Sequence, residues 1–231
     1  RYGYVPCPLS IYRGTKKLKQ GTFIRVKVDQ DSRLILHEEV FWDLEDSINK
    51  SKNNLFKGGL DDASYELEKV LDNTIIDQMC SDVELGAFLS GGIDSSLITA
   101  LMQKNSKRKI KTFSIGFENK IFNESIYAGK VADILGTSHT EYKFREKDAL
   151  EIIPTLNDVY DEPFADSSQI PTILLSKLAR RDVKVALSGD GGDELFGGYN
   201  RYSWFNQIYS STNFISSDIR QKFSEKLKFI E

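Results

Sequence analysis

In Glu84-Leu85-Gly86-Ala87-Phe88-Leu89-Ser90-Gly91-Gly92-Ile93-Asp94-Ser95-Ser96, an apolar run of strand length ends on two glycines and passes into hydroxyl-bearing residues, then into a helical pattern over 96–104. A strand that runs through glycine into a helix opens a strand–helix–strand unit, and the pattern recurs downstream. Further runs of strand length lie at 111–117 and 183–187, with a shorter one at 139–144. Helical spacing occupies 124–135, 148–159 and 171–179. Upstream, Leu67, Val70, Leu71, Ile75 and Met79 recur at three- and four-residue steps behind Asp61 and Asp62, which are placed to cap a helix start. Strands alternating with helices predict an α/β domain, an open buried parallel sheet with helices on both faces.

Before residue 61 the pattern differs. Segments 22–28 and 34–38 are rich in β-branched and apolar residues and flank Asp29, Gln30, Asp31 and Ser32, which predicts a β-hairpin. A lone hairpin is marginal in water and leaves both edges unpaired, so this one is expected to belong to the sheet of a truncated N-terminal domain. Residues 49–59, with Lys50, Lys52, Asn53, Asn54, Gly58 and Gly59, have linker composition. The organisation expected is therefore residues 1–45 as a domain tail, 46–60 as a linker and 61–231 as the α/β domain, with a helical pattern over 201–231.

A length of 231 residues, 40% of them hydrophobic and 28% charged, suits one sizeable α/β domain with an appendage. The net charge of −3 provides no basic field for nucleic acid or an anionic membrane, and points to a small acidic or neutral substrate. No apolar run approaches the roughly 18 to 20 residues that span a bilayer, and residues 1–10 lack the charged start and apolar centre of an export signal. Cys7 and Cys80 are too few for a disulfide framework and read as reduced thiols of a cytoplasmic protein.

The chemistry sits in the loops. Gly91 and Gly92 let the backbone approach a ligand, the helix start behind them offers free N–H groups to an anion, and Ser90, Ser95 and Ser96 add hydroxyls. No lysine follows these glycines and G-x-G-x-x-G is absent, so the loop is neither a Walker loop nor a dinucleotide fingerprint. The plain structural alternative is a strand-to-helix turn with Asp94 in a cap. A second strand runs into Ser188-Gly189-Asp190-Gly191-Gly192-Asp193-Glu194, where three acids among glycines need a cation or a water-filled cleft. Mg2+ typically takes one or two protein carboxylates and completes its shell with phosphate and water oxygens, which makes Asp94 and Asp193 the candidate ligands. Capping of the helix beginning near Glu194 is the alternative there.

The stretch Leu89 to Ser96 resembles the pyrophosphate loop of the ATP pyrophosphatase superfamily, and both loops together resemble the asparagine synthetase family. Thr112-Phe113-Ser114-Ile115-Gly116-Phe117 is similar to that family's second strand, and Asp161-Glu162-Pro163 leading to Ile170-Pro171 to its acceptor-side segment. Tyr4-Val5-Pro6, Lys17 to Gly21 and Phe41-Trp42 are similar to the tail of its glutaminase domain.

The resemblance implies an adenine nucleotide alpha-hydrolase-like fold, with Leu89 and Ile115 on the adenosine of ATP and Ser90, Gly91, Gly92, Asp94, Ser95 and Ser96 on the pyrophosphate. Ser188 and Gly189 also match nucleotide positions. Asp94 and Asp193 match Mg2+ ligands, and Asp190 stands where some members carry a Glu that handles the acyl-adenylate and ammonia. The implied enzyme is a ligase that adenylates the side chain of aspartate and transfers to it ammonia drawn from glutamine. The implied partners are these small molecules, the missing glutaminase domain and a missing C-terminal segment, with a homodimer among the assemblies allowed. Neither nucleic acid nor a membrane is expected.

The family's glutaminase nucleophile is an N-terminal cysteine. Since the chain starts at Arg1 and Cys7 is no substitute, glutamine is not expected to supply ammonia to this stretch alone. The family's phosphate-contacting lysines lie beyond the second loop, and Lys222, Lys226 and Lys228 read as a solvated helix face. The absence of Arg from 164–168 leaves the acceptor open between aspartate and a sugar acid or other carboxylate. A non-catalytic ATP- or AMP-binding module is the alternative of a different class. His37 and His139 read as structural or surface residues, and Tyr199, Tyr202 and Trp204 as core aromatics or pocket walls.

Overall fold

The computed structural model describes residues 2–117 and 125–212. Strands β1 (Thr22–Val28) and β2 (Leu34–Val40) form the expected antiparallel hairpin. Its turn is closed by Asp29, whose Oδ1 accepts the N–H groups of Asp31 at 2.9 Å and Arg33 at 2.8 Å. Cross-strand register puts Ile24, Val26, Val28, Leu34, Leu36 and Val40 on one face, and all six are exposed. Helix α1 (Leu44–Lys52) follows, with the Asp43 carboxylate accepting from the N–H groups of Glu45 and Asp46. Part of the stretch read as linker is therefore helical, because an N-cap and an acidic first turn outweigh its polar composition.

Helix α2 (Leu60–Gln78) leads into β3 (Leu85–Phe88), α3 (Ile93–Lys104), β4 (Lys111–Phe117), α4 (Ser125–Leu135) and β5 (Ser138–Phe144). The span 148–159, which periodicity assigns to one helix, is α5 (Glu146–Ile152), a 3-10 turn over Ile153–Thr155 and α6 (Leu156–Val159). Pro154 accounts for the break: it has no N–H to donate, and its ring clashes with the preceding helical turn. Then come α7 (Gln169–Ala179), β6 (Val185–Leu187), the short α8 (Gly192–Phe196) and α9 (Asn200–Thr212). The remainder of the 201–231 helical reading lies outside the described residues.

Strands β3 to β6 form one parallel sheet in the order β5-β4-β3-β6. The chain starts at β3, steps outward to β4 and β5, and returns to the other flank of β3 as β6. That reversal creates a switch point between β3 and β6, where an open parallel sheet binds ligands beyond its strand ends. Alternate residues of each strand serve opposite layers. Ala87 packs with Ile75, Leu101, Met102 and Ile110 on the α2 and α3 side, whereas Phe113 packs with Leu178, Ala179 and Val183 on the α7 side. Helices thus cover both faces.

Candidate active site

Both glycine loops sit at the switch point, one after β3 and one after β6. The first is held open by its own serines: Ser95 Oγ lies 3.2 Å from the Ser90 N–H and 2.9 Å from Ser90 Oγ, while Gly92 N–H donates to Ser90 Oγ at 3.2 Å. Gly91 has φ +84°, and a Cβ there would stand 2.6 Å from the backbone N of Ala128, so glycine alone lets the loop lie against α4. Helix α3 starts with no side-chain cap, and its first residues Ile93, Asp94 and Ser95 line the crevice.

The second loop rests directly on the first. A Cβ on Gly189 would come within 2.8 Å of Ser95 N, and one on Gly192 within 2.5 Å of the Asp94 carboxylate carbon. Two residues remote in sequence, Asp94 and Asp193, are thereby brought to one place. They belong to a cleft of about 1250 Å³ whose walls include Leu89, Ser90, Gly92, Asp94, Ser95, Ile115, Ser188, Gly189, Asp190 and Asp193.

Of the residues predicted for the site, Gly91 and Ser96 are not on the cleft wall. Gly91 packs against α4, and the Ser96 hydroxyl is buried with no hydrogen-bond partner among the described residues. The cleft also recruits Ser114, Phe117 and Phe144 from the ends of β4 and β5, and Ser167, Ser168 and Thr172 from the start of α7. The position of Ile115 near the end of a central strand signalled its neighbours Ser114 and Phe117. Nothing in the spacing signalled Phe144, which meets Phe117 edge-on with ring centres 5.3 Å apart.

The charged wall residues are Asp94, Asp190 and Asp193. Asp190 is exposed, and its Oδ2 accepts the Ser188 hydroxyl at 2.9 Å, so these two predicted residues engage each other. Asp94 and Asp193 are half-buried and form no ion pair among the described residues. No group of three or more His, Cys, Asp and Glu side chains among the described residues is arranged to hold a metal. A Mg2+ site of two carboxylates completed by phosphate and water oxygens does not require such a group, and Asp94 and Asp193 both stand on the cleft wall.

Glu194 is not on the cleft wall; it accepts the Tyr199 hydroxyl at 2.8 Å, which holds its carboxyl below the usual carboxylate range. Tyr199, Tyr202 and Trp204 are absent from the cleft wall, and Trp204 is exposed. Lys222, Lys226 and Lys228 lie outside the described residues.

His139 is structural, as its sequence context suggests. Its Nδ1 lies 2.9 Å from Thr112 Oγ1 and its Nε2 3.1 Å from Ser114 Oγ, bracing β5 on β4 beside the cleft. Burial lowers its pKa, against the opposing pull of Glu141 and Asp133. A folded-state value below the unfolded one, about 6.5, means that the unfolded chain binds the extra proton, so stability falls as pH drops through about 6.5. Urea midpoints measured from pH 7.5 to 5 should decline, and His139→Gln should flatten that decline. Equal slopes for the two proteins would contradict the assignment.

Two glycine loops meeting at the switch point of an open parallel sheet, one rich in hydroxyls and the other in carboxylates, define an α/β domain of the kind that binds ligands at its strand ends. A family profile described as asparagine synthase matches residues 66–229. A Methanocaldococcus jannaschii protein, provisionally named as a glutamine-hydrolysing asparagine synthetase, is 42% identical over 199 residues, covering 85% of this chain and 36% of that protein. Glutamine-hydrolysing asparagine synthetase 1 of Bacillus subtilis is 35% identical over 201 residues, covering 87% of this chain and 30% of that protein. The chain belongs to the asparagine synthase family, and it spans about a third of the length of these relatives. Among solved structures, NMN synthetase from Francisella tularensis aligns with a TM-score of 0.44 at 18% identity, covering 58% of each chain.

Proposed function

We propose that this chain is the ATP-consuming part of a glutamine-dependent, amide-forming ligase with aspartate as acceptor. The observation that carries this reading is the contact of the two loops: Gly192 against the Asp94 carboxylate and Gly189 against Ser95 gather hydroxyls, free N–H groups and two carboxylates at the mouth of the crevice. A pure binding module has little use for carboxylates beside a polyphosphate, since like charges repel at short range.

In the proposed reaction the acceptor carboxylate oxygen attacks the α-phosphorus of ATP. The bond from that phosphorus to the bridging oxygen breaks, and pyrophosphate leaves with the electron pair. Ser90, Ser95 and the first N–H groups of α3 receive the pyrophosphate, whose negative charge suits an uncapped helix start. Asp94 and Asp193 would hold Mg2+, which offsets the charge that builds on the phosphate oxygens. Ile115 would give the adenosine an apolar seat beside Leu89, whose own side chain is buried against Ala128 and Ala132 of α4. Ammonia then attacks the acyl carbon, AMP departs, and the nitrogen loses a proton to leave the amide. Asp190, which accepts the Ser188 hydroxyl, would take that proton. Ammonia would come from a glutamine-hydrolysing domain, of which residues 1–45 would be the tail.

A second acceptor class rests on the hydroxyls of Ser167, Ser168 and Thr172 in the opposite wall, which suit a hydroxylated acid such as a sugar acid. The deciding measurement is pyrophosphate release from MgATP by the full-length protein, with aspartate and with a sugar acid. Aspartate-dependent release is expected, with Asp94→Asn and Asp193→Asn each lowering it about a hundredfold. Release only with the sugar acid reassigns the acceptor, and no acceptor-dependent release would falsify the ligase reading.

A further inference from the structure

The segment between α6 and α7 forms one wall of the cleft at its far end and touches the N-terminal segment at its near end. At the near end the Glu162 side chain is 16% exposed and forms an ion pair with Lys17. Its Oε1 accepts the Ile11 N–H at 3.2 Å. Two more hydrogen bonds flank it: the Ala165 N–H donates to Gly3 O at 2.6 Å, and the Tyr12 side-chain hydroxyl to Asp161 O at 3.3 Å. Lys17 is in turn held by donating to Val5 O at 2.6 Å. Together these contacts join residues about 150 apart in the chain, as the separation of Ile11 and Glu162 shows.

Contacts then run forward to the cleft. Tyr160 stacks edge-on with Phe164, ring centres 4.8 Å apart, and donates its hydroxyl to Gln169 O at 3.2 Å. Gln169 Nε2 donates to Asp166 O at 3.0 Å, and Asp166 Oδ1 accepts the Ser168 N–H at 2.8 Å. Ser167, Ser168, Ile170, Pro171 and Thr172, which follow directly, line the cleft. Pro163 restricts the backbone immediately after Glu162, so displacement of the carboxylate is passed along the chain and little of it is absorbed locally. Among the described residues the segment has no strand partner to hold it. Among the described residues its ties to the N-terminal segment go to Gly3, Ile11, Tyr12 and Lys17.

We propose that Glu162 is a positioning residue that sets the acceptor-side wall of the cleft through the seated N-terminal segment. Glu162 touches no substrate. It carries the state of the N-terminal segment to Ser168 and Thr172, so the unit to which that segment belongs is coupled to acceptor binding. The assignment of that wall to the acceptor rests on the proposed function above, whereas the mechanical coupling does not.

The test uses the full-length protein with Glu162→Ala, Glu162→Gln and Lys17→Met, and it has two readouts. In acceptor-dependent pyrophosphate release, Glu162→Ala should raise the acceptor KM about tenfold while the MgATP KM and the limiting rate change less than about twofold. Glu162→Gln, which still accepts the Ile11 N–H, should fall between Glu162→Ala and wild type. In hydrogen exchange, the Ser168 and Thr172 amides should exchange faster in Glu162→Ala and Lys17→Met, with the Leu89 amide in the core unchanged. Faster exchange confined to Ala165, or spread equally through β3, overturns the proposal, as does an equal rise in both KM values. If the wild type shows no acceptor-dependent release, the ligase reading fails, and the exchange at Ser168 and Thr172 decides the coupling by itself.

Discussion

Gly189→Ala is expected to weaken ATP binding by at least a hundredfold, about 2.7 kcal/mol, while leaving the sheet folded. The added Cβ would stand 2.8 Å from Ser95 N and 3.0 Å from the carbonyl carbon of Asp94, both backbone atoms with no rotamer to change. The first loop cannot move aside cheaply. Leu89 N–H is tied to Phe113 O at 2.9 Å, and the buried Thr99 hydroxyl holds Ser95 O at 2.7 Å. The second loop must therefore retreat, separating Asp193 from Asp94. Gly192→Ala differs in kind, because its Cβ meets the Asp94 carboxylate, which can rotate away and leave the backbone in place. Gly129→Ala is the control: its Cβ would meet nothing within 4 Å, and alanine in a helix is favoured over glycine. Calorimetric titration with ATP, alongside a thermal melt for each variant, separates the cases. Wild-type affinity in Gly189→Ala would show that the two loops do not form a joint site.

Phe113→Ala is expected to lower the unfolding free energy by about 3–5 kcal/mol. Phe113 is 1% exposed and fills the layer between the sheet and α7, against Leu178, Ala179 and Val183. The ring reaches so far across the sheet that a Cβ on Gly86 would lie 2.8 Å from it, which explains a glycine inside a buried strand. Truncation leaves a cavity that backbone-anchored neighbours cannot fill, and a loss of that size is a large fraction of a domain's 5–15 kcal/mol or so. Urea unfolding of the full-length protein measures it. A change below about 1 kcal/mol would mean that α7 collapses onto the sheet and that the layer is not rigidly packed.

Much of this arrangement was legible in the residues. The bounds of β4 at 111–117 agree with its apolar pattern, and both glycine loops occupy the strand ends where their chemistry placed them. Helix α1 was hidden because Lys50, Lys52 and Asn53 look like linker, and the cap at Asp43 that nucleates it lies outside the stretch with that composition. The break at Pro154 was written in the sequence, but apolar periodicity on either side concealed it. The contact of Gly189 with Ser95 was not legible at all, since pairing of β6 with β3 is a tertiary outcome that no local spacing encodes. The role of Glu162 was hidden for the same reason: its partners Lys17 and Ile11 are distant in the chain.

The strand order has a kinetic meaning as well. Strands β3, β4 and β5 pair with near neighbours in the chain, but β6 must close on β3 across a hundred residues, Leu85 finding Val185. Loop closure on that scale is slow relative to local pairing, so the acidic loop arrives late, after the serine loop already has its strand and helix. A partly folded molecule would then expose the serine loop without its carboxylates. Nucleotide, by binding only the completed pair, would draw the population forward and act as a folding ligand for this domain.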